Sequence, residues 1–190
     1  MHFHHIASET GLHSEKIYDA DLWVLSPGVP KNADIVIKAQ EKNIPIVGEI
    51  EFASWFTESP IVAVTGSNGK TTTAYILAEM CQSKNNHAVM AGNMGLPFSE
   101  RVLNEIKTLD NTRTYILEVS SFQMEFVNHF SPTIAVYTNL SIDHLDRHGS
   151  MEEYLKMKLR MIQNMDQEDC VVYNGDDPEL VSAVENQTVR

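Results

Sequence analysis

Hydrophobic positions along the chain alternate between short continuous apolar runs and longer stretches with helical spacing. Apolar runs bounded by turn residues are typical of buried strands, and apolar residues three or four apart indicate helices with one buried face. The predicted strands span 22–25, 44–47, 61–65, 88–91, 115–119, 134–138 and 170–173. The predicted helices span 33–43, 48–57, 70–83, 97–107, 122–128 and 151–164, and one more begins after 177. Strands that alternate with helices predict an α/β fold with a mostly parallel sheet.

Two local signals refine this order of elements. Ser59-Pro60 interrupts the pattern, and we expect a domain boundary there. Ser150 precedes the last long helix and Glu153 follows three residues later, which is the spacing of a capping box. The sequence therefore predicts a helix that begins directly after Ser150.

Composition narrows the class of protein. The chain has 190 residues, of which 43% are hydrophobic and 21% charged, so it has enough apolar residues to bury a core. Its formal net charge of −12 argues against general nucleic-acid binding, because an acidic surface repels a phosphate backbone. No apolar run reaches the roughly 18 residues of a membrane span, and the first residues lack the form of a signal peptide. We expect a cytoplasmic protein that binds no membrane.

The strongest chemical signal is the segment Thr65–Thr73, TGSNGKTTT, which follows a hydrophobic strand and opens a helix. Its glycines allow a tight turn whose N–H groups can bind an anion together with the helix N-terminus. This is the context of a P-loop, in which Lys70 would reach the β and γ phosphates of ATP and the Thr71 hydroxyl would bind Mg²⁺. Val64 replaces the usual first glycine, so the loop is a variant. The predicted ATP-binding residues are Gly66, Ser67, Asn68, Gly69, Lys70, Thr71 and Thr72.

Four segments together resemble the Mur ligase superfamily of ATP-dependent amide-bond ligases. These segments are the P-loop, Ser26–Pro30 with Asn43–Glu51, Glu118–Glu125, and Asn139–Arg147 followed by Lys158. The run Glu118-Val-Ser-Ser-Phe-Gln-Met-Glu125 is similar to the branch that adds D-glutamate, whereas the branch that adds diaminopimelate or lysine has His at the position of Phe122. The resemblance extends over about residues 20–178.

The resemblance implies a partial Rossmann-like N-terminal domain followed by a P-loop ATPase domain. It also implies the reaction: ATP phosphorylates the carboxylate of UDP-N-acetylmuramoyl-L-alanine, and the amine of D-glutamate attacks the acyl phosphate to form an amide. The implied partners are therefore these two substrates and ATP, and we expect a monomer that acts in peptidoglycan precursor synthesis.

Further site residues follow from the resemblance. Two anions meet when a carboxylate attacks a phosphate, so the site needs cations, and two Mg²⁺ ions would meet that need. Lys158 would bind metal as a carbamate formed with CO₂. Without the resemblance, Lys158 would be interpreted as a solvated helix lysine and His144 as a packed or surface side chain. The implied metal ligands are Thr71, Glu118, His144 and Lys158, and the implied catalytic residues are Lys70, Glu118, His144 and Lys158.

The substrate residues and the domain limits also follow from the resemblance. Ser26 and Gly28 would contact the uridine diphosphate part, and Asn93 the muramoyl part, although Asn93 lies between glycines and could be only a turn residue. Nothing in Met1–Asp21 resembles the family's glycine-rich opening, and the chain ends at Arg190. We expect an incomplete UDP-sugar-binding domain over 1–58, an incomplete central ATP-binding domain over 59–190, and no C-terminal D-glutamate-binding domain. Ligation by this chain alone is not expected.

Two alternatives stay open. One is another Mur-type ligase such as a folylpolyglutamate synthase. Two features argue against it, the pair Phe122-Gln123 and the Ser26–Pro30 loop. The other is a noncatalytic nucleotide-binding or structural remnant that keeps a P-loop fold, which the acidic composition and short length permit. A switch GTPase is disfavoured, because the sequence lacks an N-K-x-D segment that would read the base.

Overall fold

The computed structural model describes residues 8–110, 112–141 and 145–187, in which the strands form two parallel sheets. The smaller sheet has two strands, which are followed by one helix each. Its elements are β1 (Trp23–Leu25), α1 (Asp34–Glu41), β2 (Ile46–Gly48) and α2 (Glu49–Ser54), after a 3₁₀ turn at Glu15–Tyr18.

The larger sheet has five parallel strands in the order β4-β5-β3-β6-β7. Its strands are β3 (Ile61–Thr65), β4 (His87–Gly92), β5 (Arg113–Glu118), β6 (Ile134–Tyr137) and β7 (Cys170–Tyr173). The helices that accompany it are α3 (Lys70–Cys81), α4 (Phe98–Thr108), α5 (Leu145–His148), α6 (Met151–Leu159) and α7 (Pro178–Glu185). The predicted α/β fold with a mostly parallel sheet is confirmed.

The central strand β3 is buried along its whole length, which explains why its sequence is apolar without alternation. Ile61 and Ala63 belong to the large core between the sheet and α2, α4, α6 and α7. Val62 and Val64 belong to a smaller core with Ala74 of α3. Helices therefore cover both faces of this sheet, as expected for parallel strands.

The register of the central strands determines which loops meet at the sheet edge. Val64 of β3 pairs with Glu118 of β5, and Thr65 pairs with Tyr137 of β6. In the sheet, β3 has β5 on one side and β6 on the other. The P-loop therefore leaves β3 between the carboxyl ends of these two neighbouring strands. Open parallel sheets bind their ligands at this kind of position.

The connection between α2 and β3 is fixed by a side chain of α4. The Glu105 carboxylate accepts hydrogen bonds from Thr57 Oγ1 at 2.6 Å, Ser59 Oγ at 2.5 Å and the Tyr115 hydroxyl at 2.9 Å. The segment around residues 58 and 59 is thus hydrogen-bonded to α4, which accompanies the larger sheet. The domain boundary expected at 58/59 stays a prediction.

Two predicted helices differ from the structure. The helix expected over 122–128 is wrong, because only Phe122–Met124 forms a 3₁₀ turn and the following backbone is bound by side chains from other elements. The helix expected over 151–164 ends its α-helical part at Leu159 and continues as a 3₁₀ turn, Arg160–Ile162. Its predicted start is confirmed, since the Ser150 hydroxyl accepts a hydrogen bond from the Glu153 N–H at 3.2 Å.

Within the described ranges, no helix is long and apolar enough to cross a membrane.

Candidate functional site

The P-loop turns sharply between β3 and α3 at two glycines. Gly66 has φ of 147° and Gly69 has φ of 80°, both in the region that disfavours residues with a Cβ. A Cβ at Gly66 would also overlap Thr138 Oγ1. Helix α3 begins at Lys70, so its first N–H groups have no partner within the helix and are oriented to bind an anion.

The Lys70 side chain lies over this loop. Its ammonium donates to the carbonyl oxygens of Gly66 at 2.9 Å and Ser67 at 3.0 Å. These neutral acceptors can be exchanged for phosphate oxygens, which bind an ammonium more strongly. Of the other predicted ATP-binding residues, Thr71 and Thr72 are exposed in the first turn of α3.

Glu118 joins the P-loop to a second polar loop. It lies at the end of β5 with a relative exposure of 2%, and its Oε2 accepts a hydrogen bond from Thr71 Oγ1 at 2.7 Å. Its Oε1 accepts one from Asn93 Nδ2 at 2.8 Å, and its carbonyl accepts one from the Asn93 N–H at 2.8 Å. The structure therefore brings together one residue from each predicted set: ATP-binding, metal-binding and substrate-binding.

The oxygens of Thr71 and Glu118 suit a hard cation. Neighbouring oxygen ligands of an octahedral Mg²⁺ lie about 3 Å apart, given Mg–O distances of about 2.1 Å. The 2.7 Å between Thr71 Oγ1 and Glu118 Oε2 is close to that separation. Among the described residues, no group of three or more His, Cys, Asp or Glu side chains forms a metal cluster, and the predicted ligand His144 lies outside them.

Lys158 is buried in α6 against the beginning of the P-loop, with a relative exposure of 1%. Its Nζ donates to Gly66 O at 3.0 Å and to Thr65 Oγ1 at 3.2 Å, and lies 4.6 Å from the centre of the Tyr154 ring. A solvated helix lysine is thus the wrong description, since lysines are almost never fully buried without a role or partners. The Tyr137 hydroxyl donates to Lys158 O at 2.9 Å, and burial raises the pKa of Tyr137, so this hydroxyl stays protonated.

The predicted substrate residues lie around a cleft between the two sheets. Ser26 and Asn93 line this cleft, which has a volume of about 390 Å³. Gly28 is exposed in the adjoining turn, which the hydrogen bond from Val29 N–H to Ser26 O closes at 3.0 Å. The cleft thus extends from Asn93, which is bound to Glu118, to the loop after β1.

Several further residues shape the site that were not among the predicted site residues, although Glu49, Gln123 and Asn139 lie in the segments that resemble the family. Glu49 and Gln123 line the cleft, and Glu49 Oε1 accepts the Ser99 N–H at 2.6 Å at the start of α4. Tyr154 OH lies 3.1 Å from Ser67 Oγ in the P-loop, and Asn139 binds the next residue of that loop. The position of Asn139 directly after the strand beside β3 was a signal that could have identified it.

Comparisons with known proteins agree with these features. The family model described as Mur ligase middle domain matches residues 64–190. UDP-N-acetylmuramoylalanine–D-glutamate ligase of Christiangramia forsetii is 39% identical over 180 residues, which are 94% of this chain and 39% of that protein. The protein of the same name from Thermoanaerobacter pseudethanolicus is 43% identical over 164 residues, which are 86% of this chain and 35% of that protein. The chain thus spans little more than a third of the length of these relatives.

Solved structures share the fold at lower identity. UDP-N-acetylmuramate:L-alanyl-gamma-D-glutamyl-meso-diaminopimelate ligase from Neisseria meningitides aligns with a TM-score of 0.57 and 16% identity, covering 90% of this chain and 57% of that one. MurF ligase from Thermotoga maritima in complex with ADP aligns with a TM-score of 0.54 and 21% identity, covering 87% of this chain and 45% of that one. Because the family model covers most of the sequence and these folds agree with it, the chain belongs to the Mur ligase family.

Proposed function

We propose that the chain carries the ATP-binding part, and a portion of the UDP-sugar-binding part, of a ligase that adds D-glutamate to UDP-N-acetylmuramoyl-L-alanine. The observation that supports this function best is the Glu118 carboxylate, which is hydrogen-bonded on one side to Thr71 of the P-loop and on the other to Asn93 of the cleft. A carboxylate in this position would lie between a nucleotide bound at the P-loop and a sugar nucleotide bound in the cleft. Residues 1–58 would then belong to the UDP-sugar-binding domain and 59–190 to the central domain.

The proposed chemistry assigns a task to each group. The N–H groups at the start of α3 and the Lys70 ammonium bind the phosphates of ATP, so that a substrate carboxylate oxygen can attack the γ-phosphorus and release ADP. The amine nitrogen of D-glutamate then attacks the acyl carbon and loses a proton, and phosphate leaves as the amide forms. Thr71 and Glu118 would hold Mg²⁺, which would supply positive charge where these anions meet. Asn93 orients Glu118 and faces the sugar nucleotide.

A lysine substitution tests the nucleotide site. Lys70→Ala is expected to weaken Mg-ATP binding by about a hundredfold or more, since it removes a charge-assisted contact to phosphate. Isothermal titration calorimetry on the 190-residue chain measures this change. Lys107→Ala is the matched control, because it removes one positive charge from an exposed position on α4. Unchanged ATP affinity in Lys70→Ala would overturn the assignment.

A second titration separates the proposed ligase from its alternatives. The unaltered chain is titrated with Mg-ATP and with UDP-N-acetylmuramoyl-L-alanine. Binding of both ligands supports a ligase active site shared by the two sheets, and binding of neither favours a noncatalytic structural remnant. Binding of Mg-ATP alone leaves the nucleotide site in place and argues against the cleft between Ser26 and Asn93 as the sugar-nucleotide site.

We also propose that Lys158 reacts with CO₂. Its amine nitrogen attacks the carbon of CO₂ and loses a proton, which gives an anionic carbamate able to bind a second Mg²⁺ together with His144. Carbon-13 NMR of the chain in labelled bicarbonate with Mg²⁺ and ATP is expected to show a carbamate signal. The signal should vanish in Lys158→Ala and persist in Lys156→Ala, which removes an exposed lysine of the same helix. A signal that survives in Lys158→Ala would contradict the proposal.

A further inference from the structure

The backbone of the P-loop is hydrogen-bonded to the segment that follows β6. The Asn68 N–H donates to Asn139 Oδ1 at 2.9 Å, and Asn139 Nδ2 donates to Asn68 O at 3.0 Å. One side-chain amide thus pairs with both the N–H and the C=O of a single loop residue. This reciprocal pairing also fixes which end of the Asn139 amide is oxygen and which is nitrogen.

Neighbouring groups extend this attachment, which we call the β6 brace (residues 138–141). Ser67 N–H donates to Asn139 O at 3.0 Å, and Thr138 Oγ1 donates to Asn68 O at 2.6 Å. Ser141 N–H donates to Ser67 Oγ at 2.9 Å, while that hydroxyl lies 3.0 Å from Ser141 O. The tip of the loop is therefore held by side chains and backbone from outside the loop.

The β6 brace determines which backbone N–H groups remain available to bind a phosphate. The N–H groups of Ser67 and Asn68 are already bound to Asn139. At the beginning of α3, the N–H groups of Lys70, Thr71 and Thr72 have no partner within the helix, whereas the Thr73 N–H is bound to Gly69 O. In this conformation Asn139 thus engages the middle of the loop and leaves the N–H groups of the helix start for a phosphate.

A loop flanked by two glycines needs such support. Gly66 and Gly69 can adopt many backbone conformations, so without contacts the loop would populate shapes that do not bind phosphate. Ligand affinity falls in proportion to the fraction of molecules in the competent shape. A contact that holds the loop in one shape therefore raises affinity even though it never touches the ligand.

We propose that Asn139 is a positioning residue for nucleotide binding, which acts by holding the Asn68 backbone and thereby the start of α3. This inference rests on the proposed nucleotide site. Asn139 needs no contact with ATP or metal for this role. It also links the P-loop to the chain segment that leads toward α5 and α6, where Lys158 lies.

Substitution of the amide tests the proposal. Asn139→Ala is expected to weaken binding of Mg-ADP to the 190-residue chain by about tenfold, because two hydrogen bonds that order the loop are lost. The loss should be the same for ADP and ATP and with or without Mg²⁺, since the loop shape changes and no ligand contact does. It should appear mainly in the association rate measured by stopped-flow fluorescence, because fewer molecules are competent at encounter.

Asn164→Ala is the matched control. Asn164 Nδ2 also donates to two backbone carbonyls of an irregular loop, those of Asn128 at 2.8 Å and Phe130 at 3.1 Å, but this loop lies outside the P-loop. Its substitution should leave nucleotide affinity within about twofold of the unaltered chain. Equal losses in the two variants, or an unchanged affinity in Asn139→Ala, would overturn the proposal.

Hydrogen exchange shows whether the proposed role of the β6 brace is wrong or the proposed nucleotide site is wrong. If the unaltered chain does not bind Mg-ADP, the proposed nucleotide site is wrong, and the brace is judged without ligand. The Asn68 amide should then exchange faster in Asn139→Ala than in Asn164→Ala, since only the first loses the acceptor of that N–H. Equal exchange rates in the two variants would show that Asn139 does not hold the loop.

Discussion

Gly66→Ala is expected to abolish detectable nucleotide binding by this chain, with an affinity loss of about a hundredfold or more. The added Cβ would overlap Thr138 Oγ1 and would lie 3.2 Å from both the N and the O of Asn139. These atoms lie in the segment directly after β6, which is tied to β3 because the Thr138 N–H donates to Thr65 O at 3.0 Å. The loop must therefore move away from the β6 brace, and the start of α3 moves with it.

Gly69→Ala is the matched control for this substitution. Gly69 also has a positive φ, 80°, but a Cβ there would meet no atom within 4 Å. Gly69→Ala therefore adds only the strain of a left-handed backbone conformation, about 1–2 kcal/mol, so weakened but measurable binding is expected. Calorimetry with Mg-ADP compares the two variants, and thermal unfolding checks that both are folded. Similar affinities for the two variants would contradict the steric explanation.

Much of the fold could be predicted from local sequence patterns. The continuous apolar run Ile61–Thr65 predicted a buried strand, and β3 is buried throughout. Ser150 and Glu153 predicted the start of α6 through a cap that the structure contains. These features depend on residues close together in sequence, so a single segment carries the information for each of them.

The helix expected over 122–128 was wrong because its backbone is bound by residues far away in sequence. Glu51 accepts the N–H groups of 128–130, and Arg160 donates to the carbonyl oxygens of Glu125 and Val127. Side chains that satisfy backbone groups in this way remove the advantage of a helix. The segment itself contains no signal that reports these partners.

The candidate site divides in the same way. The pattern predicted that Glu118 lies at the ligand-binding edge of the sheet, and the resemblance implied that it shares a metal site with Thr71. That β3 and β5 are neighbours needed the structure. The burial of Lys158 could not be predicted from its mid-helix position, because it depends on how α6 packs against β3. The role of Asn139 needs the distance between two loops 71 residues apart in sequence.

Glu51 is a carboxylate with no exposed surface that joins the two sheets. It lies in α2, after the smaller sheet, and accepts the N–H groups of three consecutive residues that lead into β6, at 2.9–3.0 Å. The Trp55 indole N–H donates to it as well, at 2.9 Å. Burial by itself would raise the pKa of Glu51, but the hydrogen bonds from Asn128, Trp55, Phe130 and His129 outweigh it and lower the pKa overall.

Glu51→Ala is expected to destabilise the chain by about 3–5 kcal/mol at pH 7, because several buried N–H groups lose their acceptor at once. Urea unfolding measures this difference, with Glu41→Ala as the control, since Glu41 is an exposed glutamate of α1. A loss below about 1 kcal/mol would mean that water or other groups replace the carboxylate.

The pH dependence of stability distinguishes the charge of Glu51 from its packing. A carboxylate with a lowered pKa in the folded state stabilises the protein fully above its unfolded pKa of about 4.3, and this contribution is lost as pH falls through the folded pKa. The unaltered chain should therefore lose more stability between pH 5 and pH 3 than Glu51→Ala does. Parallel losses in both proteins would assign the effect to other acids. A smaller loss of stability in Glu51→Ala than in the unaltered chain would show that the ionised Glu51 side chain stabilises the fold. This side chain connects α2, which follows the smaller sheet, to the loop that enters β6.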